Sequence, residues 1–312
     1  MKSTTVRRTA LCIAAAAALT SVAACGSSSG SGKSDKAAGD GTIHVSPIAA
    51  VLRTAAQSTD KASSAKVRST MSIGDVMSAS STGSLHWGDG LRGDLTITYT
   101  GGQLAEAMRK SGAAPSMHAR YLPDAYYVNM GDASAQRMGG KHWLKYSYDD
   151  LAKFGGASGS YMKDQIQTST PNSSVQMLLA SGDVKKVGEA SVSGARATHY
   201  SGTVNVADLA GKSSNLTAEQ MSALKAQLDT AGITTETIDV WINDQNLLVK
   251  KSEKAHTAKG ELTNTASYSD YGVQVSVEAP PAGDTRDFKD LLKSLGTSGT
   301  GNAASGGPVS AS

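Results

Sequence analysis

Side chains able to do chemistry are few in this 312-residue chain, and their spacing limits what they could do. Six histidines, His44, His86, His118, His142, His199 and His256, are scattered along it, and no two stand at the i, i+4 spacing that aims two imidazoles from one helix at a metal. No GxSxG elbow, Ser-x-x-Lys pair or phosphate-cradling glycine loop stands at the entrance to a helix. His199 and Tyr200 lie in a strand pattern, so their side chains face opposite ways and the histidine reads as structural. Asp149 and Asp150 could be a carboxylate pair for acid–base work; beside Leu151 they read instead as the charged first turn of a helix. An enzyme would need His142 or His199 to meet a carboxylate inside a cleft. No catalytic residue, metal ligand or cofactor is assigned from the sequence.

Thiol chemistry reduces to one atom. Residues 1–24 combine a basic start (Lys2, Arg7, Arg8), an apolar run from Ala10 to Leu19 and the small residues Ser21-Val22-Ala23-Ala24, the layout of a secretory signal peptide. The apolar run is about half the roughly 20 residues that cross a bilayer as a helix. Val22-Ala23-Ala24-Cys25 resembles the bacterial lipobox, in which the cysteine sulfur receives a diacylglyceryl group and the chain is cut just before it. That resemblance makes Cys25 the first residue of the mature protein and its lipid attachment site, N-acylated as well. The expected location is the extracytoplasmic face of the cell membrane. Arg7-Arg8 fits a twin-arginine export signal only in part, so the general secretory route and the twin-arginine route both stay open.

Removing the leader changes the charge. Three of the 30 basic residues precede Cys25 and no acidic one does, leaving 27 basic against 27 acidic residues. A neutral mature chain offers no basic face for nucleic acid. Cys12 leaves with the leader and Cys25 is acylated, so no thiol remains for a disulfide, a metal or nucleophilic catalysis.

Residues 25–42 follow as a lipidated tether, rich in Gly and Ser without apolar period, and its 16 residues Gly26–Gly41 would span roughly 20–25 Å as a coil. Residues 296–312 have the same composition and read as a disordered tail. Residues 43–295 read as one domain. Ser46 and Pro47 open a helix carrying Ile48, Val51, Leu52, Ala55, Ala56 and Thr59 on one face. Period-two alternation predicts strands through Val67–Ile73, Leu85–Trp87, Leu91–Tyr99, Met117–Leu122, Ala125–Met130, His142–Tyr146 and Ala195–Val206. It predicts four more at Thr234–Asn243, Leu247–Ala255, Leu262–Tyr268 and Val273–Glu278. Helices are predicted at Gln103–Lys110, Tyr148–Phe154, Pro171–Leu179, from a capping box at Thr217 and Gln220, and at Arg286–Leu295. Many strands with short turns and few helices predict an α+β fold, an antiparallel sheet with helices over its apolar face.

A set of short motifs adds to this. Gly140-Lys141-His142-Trp143-Leu144-Lys145, Thr198-His199-Tyr200, Val240-Trp241-Ile242-Asn243-Asp244-Gln245, Tyr268-Ser269-Asp270-Tyr271-Gly272 and Glu278-Ala279-Pro280-Pro281 occur in the order seen in actinobacterial LolA-like lipoproteins. Over about residues 43–290 the chain resembles a streptomycete-type relative of the LppX/LprAFG group. The resemblance implies a curved antiparallel half-barrel with helices closing its concave side. It also implies an apolar cavity for the acyl chains of a lipid or glycolipid. Leu95, Ile97 and Tyr99 on one strand, and Ile238, Val240 and Ile242 on another, would face that side; taken singly, each reads first as plain core. The function so implied is non-enzymatic lipid binding or carriage at the cell envelope. The alternative is a docking lipoprotein that holds an envelope protein partner and no small ligand. Only 2 Phe, and Ser or Thr at many strand positions, depart from a lipid-lined pattern.

Overall fold

The computed structural model describes residues 46–151, 153, 163, 166–167, 169–206 and 218–297. Its centre is one sheet of twelve strands: β1 (Ser64–Ile73), β2 (Met77–His86), β3 (Arg92–Gly101), β4 (Ser116–Tyr121), β5 (Ala125–Asn129), β6 (Trp143–Ser147), β7 (Lys185–Val192), β8 (Ala195–Asn205), β9 (Thr235–Asn243), β10 (Leu248–Thr257), β11 (Gly260–Ser269) and β12 (Thr285–Asp287). Their order is β12-β6-β5-β4-β3-β2-β1-β11-β10-β9-β8-β7. Two meanders, β1 to β6 and β7 to β11, are joined where β11 pairs antiparallel with β1. Every pairing is antiparallel except β12 on β6.

The sheet is open, and so many twisted strands curl rather than lie flat. Two strand glycines on the helix side aid that curl. A Cβ on Gly83 would stand 2.0 Å from the Asp94 carbonyl, and one on Gly93 2.4 Å from Leu85 Cδ2, so β2 and β3 close together there only because both residues lack a side chain.

Helices lie on one face. α1 (Pro47–Ala62) starts with Pro47 in its first turn and buries Leu52, Ala55, Ala56 and Thr59. Val51, expected on that stripe, is instead exposed. α2 (Gly102–Lys110) follows β3, and α3 (Ser173–Ser181) crosses the other half of the sheet. α3 begins two residues later than its Pro171 predicts. Asn172 turns its amide to α1, donating to the Ala56 carbonyl at 2.8 Å and to Asp60 at 2.5 Å, instead of serving the helix interior. Gly202 lets α3 approach: a Cβ there would lie 2.9 Å from Leu178 Cδ2. α4 (Ala218–Ala231) brings Leu228 and Ala231 against Val206, Ile233 and Ala255, and α5 (Phe288–Thr297) packs on β6.

The main core joins α1 and α3 to the sheet through Leu52, Val175, Leu178, Val67, Val240 and Leu248. Burying each such aliphatic side chain contributes about 1.5–3 kcal/mol. The expected α+β class, with helices over one face of an antiparallel sheet, is the observed one.

Three local expectations fail for a physical reason. Val273–Glu278 alternates as a strand would but joins no ladder. Ser64 Oγ donates to its Val273 carbonyl and Arg120 donates to its Glu278 carbonyl, so the segment runs from β1 to β4, across the strands instead of along one. The last helix starts at Phe288, because Thr285–Asp287 pairs with β6 as β12. Lys185–Val192, where no strand is predicted, forms edge strand β7. Tyr148–Leu151 and Lys153 are helical as expected, and the last helix runs on through Gly296 and Thr297, which were expected in the tail; Ala152, Phe154, the Thr217 cap, the leader, the tether and residues 298–312 lie outside the described residues.

Candidate functional site: the helix-side face of the sheet

Leu95, Ile97 and Tyr99 occupy alternate positions of β3 and point to the helix side. Register sets Leu95 between Gly83 and Ala119, and Ile97 between Ser81 and Met117. All three remain half-buried. On β1 the same face carries Ser69, Met71 and Ile73; the Ser69 and Ser81 hydroxyls bond each other at 2.6 Å, and Met71 is 38% exposed. Ile238, Val240 and Ile242 share this face on β9, but four strands separate them from β3. They are 0%, 0% and 3% exposed in the core with α3. The structure therefore places the two predicted triplets on one face without bringing them together. The β9 triplet is packed; the β3 triplet is incompletely covered.

Beyond β3 the same face is aromatic. Tyr121, Tyr126 and Tyr146 are cross-strand partners on β4, β5 and β6. Tyr121 and Tyr126 stack at 6.0 Å between ring centres, Tyr126 and Tyr146 at 4.5 Å, and Phe288 of α5 lies 4.7 Å from Tyr146. Tyr148 extends the group 6.4 Å from Tyr126. Such pairs add about 0.5–1.5 kcal/mol each beyond burial. Burial pushes the hydroxyls of Tyr99, Tyr121, Tyr146 and Tyr148 above the ordinary tyrosine range, so all four are neutral donors at physiological pH. The sequence reading overlooked this group. Tyr99, Tyr121, Tyr126, Tyr146 and Tyr148, five of the ten tyrosines, stand on the β3–β6 half of this face, a bias visible in the strand pattern once register is known.

A second polar group lies under α3. Glu253 Oε1 accepts from Lys251 Nζ at 2.9 Å and from Ser174 Oγ at 2.5 Å, while Asn264 donates to Oε2 at 2.8 Å. Burial opposes both charges. The attraction of the two ions and the three hydrogen bonds outweigh it, holding the Glu253 carboxyl below its usual range and the Lys251 ammonium above its own. Glu236, on the neighbouring strand, is 2% exposed and its Oε1 has no hydrogen-bond partner. Burial, then repulsion by Glu253, pushes its carboxyl up to about 8.

Folded Glu236 keeps a proton that the unfolded chain has released, so its favourable contribution is complete below about pH 4.5 and disappears as pH rises through about 8. Wild-type stability should fall over that window, and Glu236→Gln should lack this component. The difference between the two should change by on the order of 3 kcal/mol from pH 4.5 to 7. Urea unfolding across that range measures it, and parallel curves for the two proteins would refute it.

Both histidines that an enzyme would need do meet carboxylates. His199 Nε2 lies 2.7 Å from Asp239 Oδ1, with its ring stacked 4.3 Å from Trp241 and Lys250 over the same indole. Tyr200 faces the core, so this pair sits on the opposite, outer face. His142 Nδ1 lies 2.7 Å from Asp284, and Nε2 lies 3.3 Å from Asp132. The Asp284 hydrogen bond pushes that imidazole's pKa up, and with a carboxylate at each nitrogen it clasps the chain before β12 to β6. Among the described residues no hydroxyl is hydrogen-bonded to either ring, and no group of three or more His, Cys, Asp and Glu could hold a metal. None of their helices is long and apolar enough to cross a membrane.

An open twelve-stranded sheet, partly roofed by helices that leave apolar strand positions half-covered, defines an α+β protein. No family model matches the sequence. A Streptomyces griseus protein, described as an uncharacterized 31.2 kDa protein of the rplA–rplJ intergenic region, is 55% identical over 251 residues, covering 80% of this chain and 82% of its own. A Streptomyces coelicolor protein described as a candidate lipoprotein is 44% identical over 312 residues, 95% of this chain and 100% of its own. The crystal structure of the Mycobacterium tuberculosis lipoprotein LppX matches with a TM-score of 0.46 and 17% identity, covering 75% of this chain and 100% of that one. The chain belongs to the family of these two streptomycete proteins.

Proposed function

We propose that the protein is a non-enzymatic lipoprotein, anchored through Cys25 at the extracytoplasmic membrane face, that binds or carries an amphiphile against the helix side of β1–β6. The lipobox-like motif and a relative described as a candidate lipoprotein support the anchor. The observation that carries the ligand reading is the contrast between the two halves of one face. Ile238, Val240 and Ile242 are sealed by helices, whereas Leu95, Ile97, Tyr99 and Met71 stay half-covered. Neighbouring apolar positions left half-covered on one strand face form the kind of contiguous patch that marks a ligand or partner surface. An acyl chain laid there gains about 0.8 kcal/mol for each methylene sheltered, and needs no reactive group. Residues 25–42 act as the tether in this reading, and residues 43–295 as the binding domain.

Native mass spectrometry of the full chain, purified from membranes, tests it. One non-covalent lipid beyond the mass of the acylated protein is the expected result. A protein that has no such adduct, and gains none from phospholipid or diacylglycerol vesicles, would leave the face to a docking partner instead.

A further inference from the structure

Tyr148 is 2% exposed, yet its hydroxyl is buried without any hydrogen-bond partner. An orphaned buried hydroxyl costs on the order of 1–3 kcal/mol, and phenylalanine would fill the same space without that cost. The ring itself is well placed in the aromatic group with Tyr126, so packing explains a ring here and not its oxygen. The surroundings narrow what the oxygen could serve. Tyr121 and Asp124 both lie within electrostatic reach of it, and Tyr121, Tyr126 and Tyr146 stand side by side across β4, β5 and β6, so phenol groups gather at this end of the half-covered face. Apolar positions Leu95, Ile97 and Met117 lead away from them along β3 and β4. The nearby Asp124 charge disfavours an anion, while a neutral phenol donates well to an uncharged carbonyl oxygen.

We infer that Tyr148 anchors the polar junction of the bound lipid, its hydroxyl donating to an ester carbonyl of an uncharged glycerolipid whose acyl chains run along Ile97 and Leu95. This rests on the ligand reading proposed above and adds to it a direction and a chemical class. The ester oxygen supplies the partner that the fold withholds, and the acyl chains cover the half-buried strand positions.

The test uses the full chain, its Tyr148→Phe variant and two probes in a fluorescence binding assay: a pyrene-labelled diacylglycerol and a pyrene-labelled hydrocarbon of matching chain length. Tyr148→Phe should weaken diacylglycerol binding about tenfold, the worth of one hydrogen bond, and change hydrocarbon binding by less than about twofold. Without ligand the variant should melt no lower than wild type. Equal affinities of both proteins for diacylglycerol would overturn the anchor while sparing the carrier reading. Tighter binding of an anionic probe, pyrene-labelled phosphatidylglycerol, would overturn the uncharged class. A wild type that takes up no probe would overturn both, and a variant that melts lower would show the hydroxyl to be satisfied within the fold.

Discussion

Lys251→Met should cost about 3–5 kcal/mol of folding stability at pH 7, because it removes the only cation from a buried group holding two carboxyls. Methionine preserves the length of the side chain, so packing changes little. What changes is Glu253, 10% exposed in its side chain and left with hydrogen bonds from Ser174 and Asn264 but no counterion. Glu236 cannot help, since it already takes a proton rather than a second negative charge beside Glu253. Two further results identify the cause. In the variant the folded pKa of Glu253 would lie above its unfolded value, so stability would be recovered as pH falls below about 5. Lys251→Met combined with Glu253→Leu should regain most of the loss, because an apolar pair of similar volume needs no desolvation of charge. Urea unfolding measures all three. A single-variant loss below about 1 kcal/mol at pH 7 would mean that water already screens the pair.

Cys25→Ser should release nearly all of the protein from the membrane. A hydroxyl does not take the diacylglyceryl group, and the leader cannot substitute as an anchor because its apolar run, Ala10–Leu19, is too short to span. Two or more acyl chains on Cys25, each worth about 0.8 kcal/mol per methylene, would make wild-type attachment effectively permanent; without them nothing of comparable strength would remain. With cleavage before Cys25, as proposed, Cys12 would offer no second site in the mature chain. Fractionation after radiolabelled palmitate feeding reads both parts: the label should vanish and the protein should leave the membrane pellet. A Cys25→Ser protein that still carries label and sediments with membranes would show that anchoring lies elsewhere.

Much of this molecule is written locally. The proposed leader, Cys25 and tether are stretches whose chemistry depends on neighbours in sequence, and alternation located β1, β3–β6 and β8–β11 because each has one face against helices or other strands. β7 escaped because an edge strand has little to bury: Lys185, Lys186 and Val187 are all exposed, and the pairing slips between Lys186 and Gly188. β12 is three residues long and exists only through its parallel pairing with β6.

The site itself divides along the same line. Sequence alone put Leu95, Ile97 and Tyr99 on one face, and Ile238, Val240 and Ile242 on one face. Only the tertiary structure decided that α3 seals the second triplet and leaves the first half-covered. The buried ions show why such decisions elude a pattern. Counting by twos from Leu248 would send Lys250 and Ser252 inward and Lys251 and Glu253 to solvent. The register shift between Leu248 and Lys250 reverses that, aligning Lys251 with Val240 and Glu253 with Ile238 on the core side. One extra residue in a strand moves every later side chain to the other face, and whether it is there is settled by pairing with β9, many residues away.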